Sequence, residues 1–142
     1  MSPPFLIIET GQPVAPMRRH GSFAHWIRVA AGLERDEAVV VDVARGDALP
    51  ARAGFAGAIV TGSAAMVTER LDWSERSAGW LREAAHAGLP LLGICYGHQL
   101  IAHALGGEVG DNPRGREMGT VCIELADAAR EDPLFAGLPA RF

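Results

Sequence analysis

The sequence predicts a three-layer α/β domain with helices on both faces of a mainly parallel sheet. Three observations carry this expectation. Short runs that are apolar throughout recur along the chain, as strands buried on both faces require. Between them lie stretches whose apolar residues recur at helical spacing. Regular alternation of the two kinds of segment is the pattern of parallel strands joined by helical crossovers.

Each element has its own signal. Phe5 to Ile8 is a short apolar run between prolines and Gly11, read as a first strand. Phe23, Trp26, Ile27 and Ala30 recur at helical spacing, with Gly32 as the stop. Ala38 to Val43 holds the β-branched run Val39-Val40-Val41, expected to be a strand buried on both faces. Ala58 to Thr61 is a further strand, ending in Gly62-Ser63. Asp72 followed by Glu75 has the spacing of a capping box, and Trp73, Ser77, Trp80, Leu81 and Ala84 continue that helix. Leu89 to Ile94 is the next strand and leads through Cys95 into a helix carrying Gln99, Leu100, Ile101, Ala102 and Ala104. Glu108-Val109 and Val121 to Leu125 are weaker strand candidates, and "EDPLFAGLPARF" reads as loop. Together these give one flavodoxin-like α/β domain over residues 1–142, long enough to bury a single core.

Composition narrows the function. The chain is 49% hydrophobic and 21% charged, ordinary for a globular domain. A formal charge of −4 argues against nucleic acid or an anionic membrane as partner. No apolar run is long enough to span a bilayer, and the first residues lack the progression of a signal peptide. Two cysteines do not make a disulfide framework, so a reducing cytoplasm is expected. All thirteen basic residues are arginine, which excludes a P-loop lysine and a Schiff-base lysine. No two glycines stand at i and i+2, so a G-x-G-x-x-G fingerprint is absent.

The stretch "LLGICYGHQL" places Cys95 between Gly93 and Gly97, directly after a strand and before a helix. Two readings fit the residues. The thiol is small core filler, or it is a nucleophile on a sharp strand-to-helix elbow. An elbow needs small residues two positions to either side, because the tight turn presses them against neighbouring backbone. It would also set the sulfur beside the first amides of a helix, whose partial positive charge suits a nucleophilic anion. Cys122 lies in an apolar stretch without such flanks and reads as core filler.

The segment "GICYGHQLIAHALGG" resembles the nucleophile segment of class I glutamine amidotransferases, which take ammonia from the glutamine side-chain amide. It is similar in particular to the stand-alone members that resemble the glutaminase part of GMP synthase. "IVTGSAAMVTE" resembles the family's oxyanion strand, and the likeness runs in order from the first strand to "PRGREMG". The resemblance implies a class I amidotransferase fold in which Cys95 attacks the carboxamide carbon and forms a γ-glutamyl thioester. The backbone N–H groups of Tyr96 and Ser63 would hold the oxyanion, with Gly62 permitting the turn. Gln99 would contact substrate. The family's turn usually carries a second glycine and then proline where this chain has Ser63-Ala64. The implied partners are L-glutamine and a synthase or acceptor subunit or domain. No metal and no organic cofactor are expected for the glutaminase step.

The remaining histidines are read more plainly. His98 and His103 diverge by about 140° on one helix, so a shared metal is not expected. His98 follows the family motif as a packing and hydrogen-bonding residue, and His103 packs. His20, His25 and His86 have surface or structural roles. Class I amidotransferases complete the site with a downstream His-x-Glu pair, the histidine serving as base and the glutamate orienting it. H-x-E occurs nowhere here, and no histidine follows His103. The domain is therefore expected to be truncated at its C-terminal end. Two rivals stay open: a catalytically inactive domain that binds a partner or small amino acid, and a γ-glutamyl peptide cysteine hydrolase.

Overall fold

In the computed structural model, which describes residues 2–142, four strands form one sheet. They are β1 (Phe5–Glu9), β2 (Ala38–Asp42), β3 (Gly57–Val60) and β4 (Leu91–Gly93), in spatial order β2-β1-β3-β4 with every pairing parallel. Three helices connect or follow them: α1 (Phe23–Ala30), α2 (Asp72–His86) and α3 (Tyr96–Ala104). The expected α/β architecture and parallel sheet are observed. By compactness the chain divides into a larger unit reaching to Asp111 and a small one, Asn112–Phe142.

Alternation along the strands sorts the core of the larger unit into two layers. Leu6, Ile8, Ala58 and Val60 belong to the main core with Ala78, Trp80, Leu81 and Ala84 of α2 and Tyr96, Leu100 and Ala104 of α3. Small residues along the buried stripe of α2 (Ser74, Ser77, Ala78, Ala84) allow close helix packing. Ile7 and Ile59 alternate onto the other face and are also buried. Glu9, on the Ile7 side, accepts the Ala24 N–H of α1 at 2.8 Å, which brings the first turn of α1 to that face.

Several expectations are corrected. The valine run of β2 is not buried on both faces: Val39 and Val40 are 39% and 46% exposed. The reason is position, since β2 is an edge strand paired with β1 alone. The capping box expected at Asp72 and Glu75 does not form. Leu71 is the N-cap, without a side-chain cap, and Asp72 is the first helical residue. Glu75 instead faces His103 Nε2 at 3.1 Å.

Glu108-Val109 is not a strand, although Val109 packs against the main core. Val121 to Leu125 joins no sheet strand either. In the small unit Ile123 and Phe142 exchange both backbone hydrogen bonds, at 2.8 and 3.1 Å. Leu125 N–H reaches the Ala140 carbonyl, and Glu124 and Arg141 form an isolated antiparallel bridge. The tail expected to be plain loop thus pairs with the stretch expected to be a strand. No helix among the described residues is long and apolar enough to cross a membrane.

Candidate active site

In a parallel sheet the carboxyl ends of the strands form the functional edge. Here β3 runs into Thr61-Gly62-Ser63 and β4 into Ile94-Cys95-Tyr96. Parallel pairing of Val60 with Gly93 brings the two turns side by side.

Cys95 has φ 54° and ψ −108°, a left-handed backbone that a non-glycine residue rarely adopts. Its neighbours enforce that geometry. A Cβ at Gly97 would lie 2.7 Å from the Val60 carbonyl carbon and closer still to its oxygen. A Cβ at Gly93 would overlap the Gly97–His98 peptide. Both glycines are therefore required by close backbone approach, as an elbow demands. Ile94 N–H donates to the Val60 carbonyl at 3.0 Å, and Gly97 N–H donates to the carbonyls of Ile94 and Thr61. The elbow is thus stitched to β3 and its turn by main-chain hydrogen bonds.

Tyr96 follows the cysteine and anchors the corner from below. Its ring is buried, tilted against Trp73 at a centroid distance of 5.6 Å. Its hydroxyl meets Ser74 Oγ at 2.6 Å. Burial pushes the phenol above its ordinary pKa, the Ser74 hydrogen bond opposes this, and the Glu69 and Glu75 charges add to the rise. The side chain holds α3 to α2, while its N–H stands at the first turn of α3, where a helix leaves amides unpaired.

The Gly62-Ser63 turn lies against the cysteine. A Cβ built on Gly62 would stand 3.7 Å from Cys95 Cβ. Neither Ser63 N–H nor Tyr96 N–H has a hydrogen-bond acceptor among the described residues. Ser63 Oγ accepts the Ala65 N–H at 3.1 Å and stiffens the turn despite the absent second glycine and proline. Gln99 N–H donates to the Cys95 carbonyl, so Gln99 sits one helical turn beyond Cys95, on the same face of α3.

Not every expectation about polar residues holds. His98 is exposed and makes no hydrogen bond among the described residues, because its position on α3 points away from the core. His103 packs, as expected, but as part of a polar cluster with Glu75 and Arg70. Cys122 is not core filler. It is exposed in the small unit, its sulfur accepting Arg141 Nε–H at 2.8 Å. No group of three or more His, Cys, Asp or Glu residues able to hold a metal is found among the described residues.

The structure also reveals supporting residues that periodicity missed. Thr10 and Thr61 are buried and bonded to one another across the ends of β1 and β3. Gly11 lies where a Cβ would press on Ser63, 3.0 Å from its Cα. One signal for them was present in the sequence: Thr10-Gly11 and Thr61-Gly62 are the same dipeptide, the second directly after an apolar run and the first one residue, Glu9, beyond one.

Comparison with known proteins places the chain in a family. The family described as Glutamine amidotransferase class-I matches residues 19–142. A GMP synthase (glutamine-hydrolysing) of Thermomicrobium roseum is 45% identical over 86 residues, covering 61% of this chain and 15% of that protein. The crystal structure of a glutamine amidotransferase from Methylobacillus flagellatus superposes with TM-score 0.62 at 25% identity, covering 80% of this chain and 43% of that one. One from Thermotoga maritima shares the fold with TM-score 0.74 at 17% identity, over 100% of this chain and 59% of its own. The chain thus spans only part of the length of each relative. The match extends over the whole stretch that builds both turns, and on that ground the chain belongs to the class-I glutamine amidotransferase family.

Proposed function

We propose that this chain carries the nucleophile and oxyanion half of a glutaminase site, acting on the side-chain amide of L-glutamine. The observation that carries the reading is the approach of the Gly62-Ser63 turn to the Cys95 elbow, where a Cβ built on Gly62 would stand 3.7 Å from Cys95 Cβ. The Cys95 sulfur adds to the carboxamide carbon, and the carbonyl oxygen takes the negative charge between the Ser63 and Tyr96 N–H groups. A donor of this kind contributes about 3–4 kcal/mol to the transition state. The thiol proton passes to the amide nitrogen, the carbon–nitrogen bond breaks, ammonia leaves, and a γ-glutamyl thioester remains. Water hydrolyses the thioester to glutamate and returns the thiol. Gln99, one turn beyond the nucleophile, faces the substrate. The ammonia passes to an acceptor held by a synthase domain or subunit, as the similarity to GMP synthases suggests.

A second reading rests on one observation. No histidine ring is hydrogen-bonded to the Cys95 sulfur among the described residues, and His103 is engaged by Glu75 and Arg70. A domain that binds glutamine without turning it over fits that fact.

An electrophilic glutamine analogue separates the readings. It is expected to alkylate Cys95 and not Cys122, with glutamine protecting, as read by peptide mass mapping. Both thiols are exposed, so accessibility alone does not produce that preference. Equal labelling of the two overturns the glutaminase reading. Selective labelling with no ammonia release supports the second.

A further inference from the structure

We infer that Thr10 is a positioning residue for the oxyanion site, orienting the Gly62–Ser63 peptide through a shared hydroxyl network with Thr61. The inference rests on the glutaminase reading for its catalytic meaning, but its geometric core stands on hydrogen bonds alone.

Thr10 N–H donates to Thr61 Oγ1 at 3.0 Å. Thr61 Oγ1 lies 3.1 Å from the Gly62 carbonyl oxygen and donates to it. Thr10 Oγ1 donates in a shared hydrogen bond to the Thr61 carbonyl at 2.9 Å and to the Gly62 oxygen at 3.1 Å. Each hydroxyl has a single proton: that of Thr61 serves the Gly62 oxygen, and that of Thr10 is shared between the two carbonyls. Both threonines are almost fully buried, so water does not substitute for either hydroxyl.

The Gly62 carbonyl and the Ser63 N–H belong to one trans peptide, and in such a unit the two groups point in opposite directions. Holding the Gly62 oxygen toward the two threonines therefore turns the Ser63 N–H away from them. Gly62, lacking a side chain, would otherwise let this peptide rotate freely. The hydroxyl of Thr10, just past the end of β1, thus acts with that of Thr61 to fix where a donor on the Gly62-Ser63 turn points. Because it touches no reacting atom, its effect is confined to steps that develop an oxyanion.

The test uses the 142-residue chain and two electrophiles at Cys95. A glutamine-derived chloromethyl ketone reacts through attack at a carbonyl before sulfur displaces chloride. Iodoacetamide loses iodide directly and develops no oxyanion. Thr10→Val keeps the shape and deletes the hydroxyl. It is expected to slow the ketone reaction at Cys95 about tenfold, short of the 10²–10³ lost with an entire donor, and to leave the iodoacetamide rate unchanged. Thr10→Ser is expected to restore the ketone rate.

Equal slowing of both reagents in Thr10→Val, or no slowing of either, overturns the inference. If the native chain shows no preference of the ketone for Cys95 over Cys122, the glutaminase reading fails instead. The Ser63 amide resonance then decides the remaining question. A shift in Thr10→Val that Thr10→Ser reverses sustains the positioning role, and an unchanged resonance overturns it.

Discussion

The Thr61 carbonyl oxygen accepts Thr10 Oγ1 at 2.9 Å and the Gly97 N–H at 3.1 Å. One oxygen atom therefore joins the end of β1, the turn after β3 and the elbow after β4. The three loops at the carboxyl edge are held by a buried network and not by chain connectivity, since 51 residues separate Thr10 from Thr61. Buried hydrogen bonds of this kind contribute modestly when made and are costly when broken.

Two glycines should respond oppositely to an added side chain. Gly97 has no room for a Cβ, because the Val60 backbone occupies the space. Gly97→Val is expected to cost upwards of about 2 kcal/mol in urea unfolding and to reduce labelling of Cys95. Gly79, inside α2, faces open space. Gly79→Ala is expected to stabilise by up to about 1 kcal/mol. Normal stability and thiol reactivity in Gly97→Val would refute the elbow.

Tyr96 is the single tyrosine of the chain, so tyrosinate absorbance reports on it alone. Its value is raised by burial above the ordinary 10.0. A raised value means that the protonated form is favoured in the folded state. Its contribution is complete below the unfolded value and is lost as pH climbs through the folded one. Titration is expected to show ionisation above the ordinary range, together with falling stability on the alkaline side. In Tyr96→Phe the alkaline loss should weaken, while stability at neutral pH drops by about 1 kcal/mol with the Ser74 hydrogen bond.

Glu9, the last residue of β1, is buried against the start of α1, accepting the Ala24 N–H at 2.8 Å and the Gln12 side-chain amide at 3.1 Å. In Glu9→Gln one acceptor oxygen becomes a donor facing another donor. The expected cost is about 1–3 kcal/mol, read as a lower urea midpoint with an unchanged slope. An unaltered midpoint would show that α1 does not depend on this carboxylate.

His103, Glu75 and Arg70 form an exposed latch between α2, α3 and the preceding turn, with His103 Nε2 3.1 Å from Glu75 and 2.8 Å from Arg70. Solvent screening limits such pairs to below about 1 kcal/mol. A double-mutant cycle of His103→Gln and Glu75→Gln is expected to return a coupling in that range. Cys95 labelling should stay unchanged, and a large fall would make His103 part of the reacting site.

Much of the fold was legible in the residues themselves. Apolar runs marked all four strands, and the two inner ones, β1 and β3, bury nearly every residue they have. Gly93 and Gly97 marked the elbow, because only a hydrogen fits where backbone meets backbone at Val60 and at the Gly97–His98 peptide. Those are local demands, and a local pattern expresses them. What the sequence left open depended on neighbours far along the chain. Val39-Val40-Val41 has the composition of an inner strand, yet only the spatial order shows that β2 stands at the edge. Asp72 and Glu75 have the spacing of a capping box, but the helix begins one residue earlier in phase and Glu75 faces His103 instead. Cys122 looked like filler until the pairing of Ile123 with Phe142 placed it at the surface. The link from Thr10 to Thr61 and Gly97 is tertiary in the same sense: each residue alone is an ordinary threonine or glycine. It took parallel registration of β1, β3 and β4 to bring one carbonyl oxygen within reach of both donors.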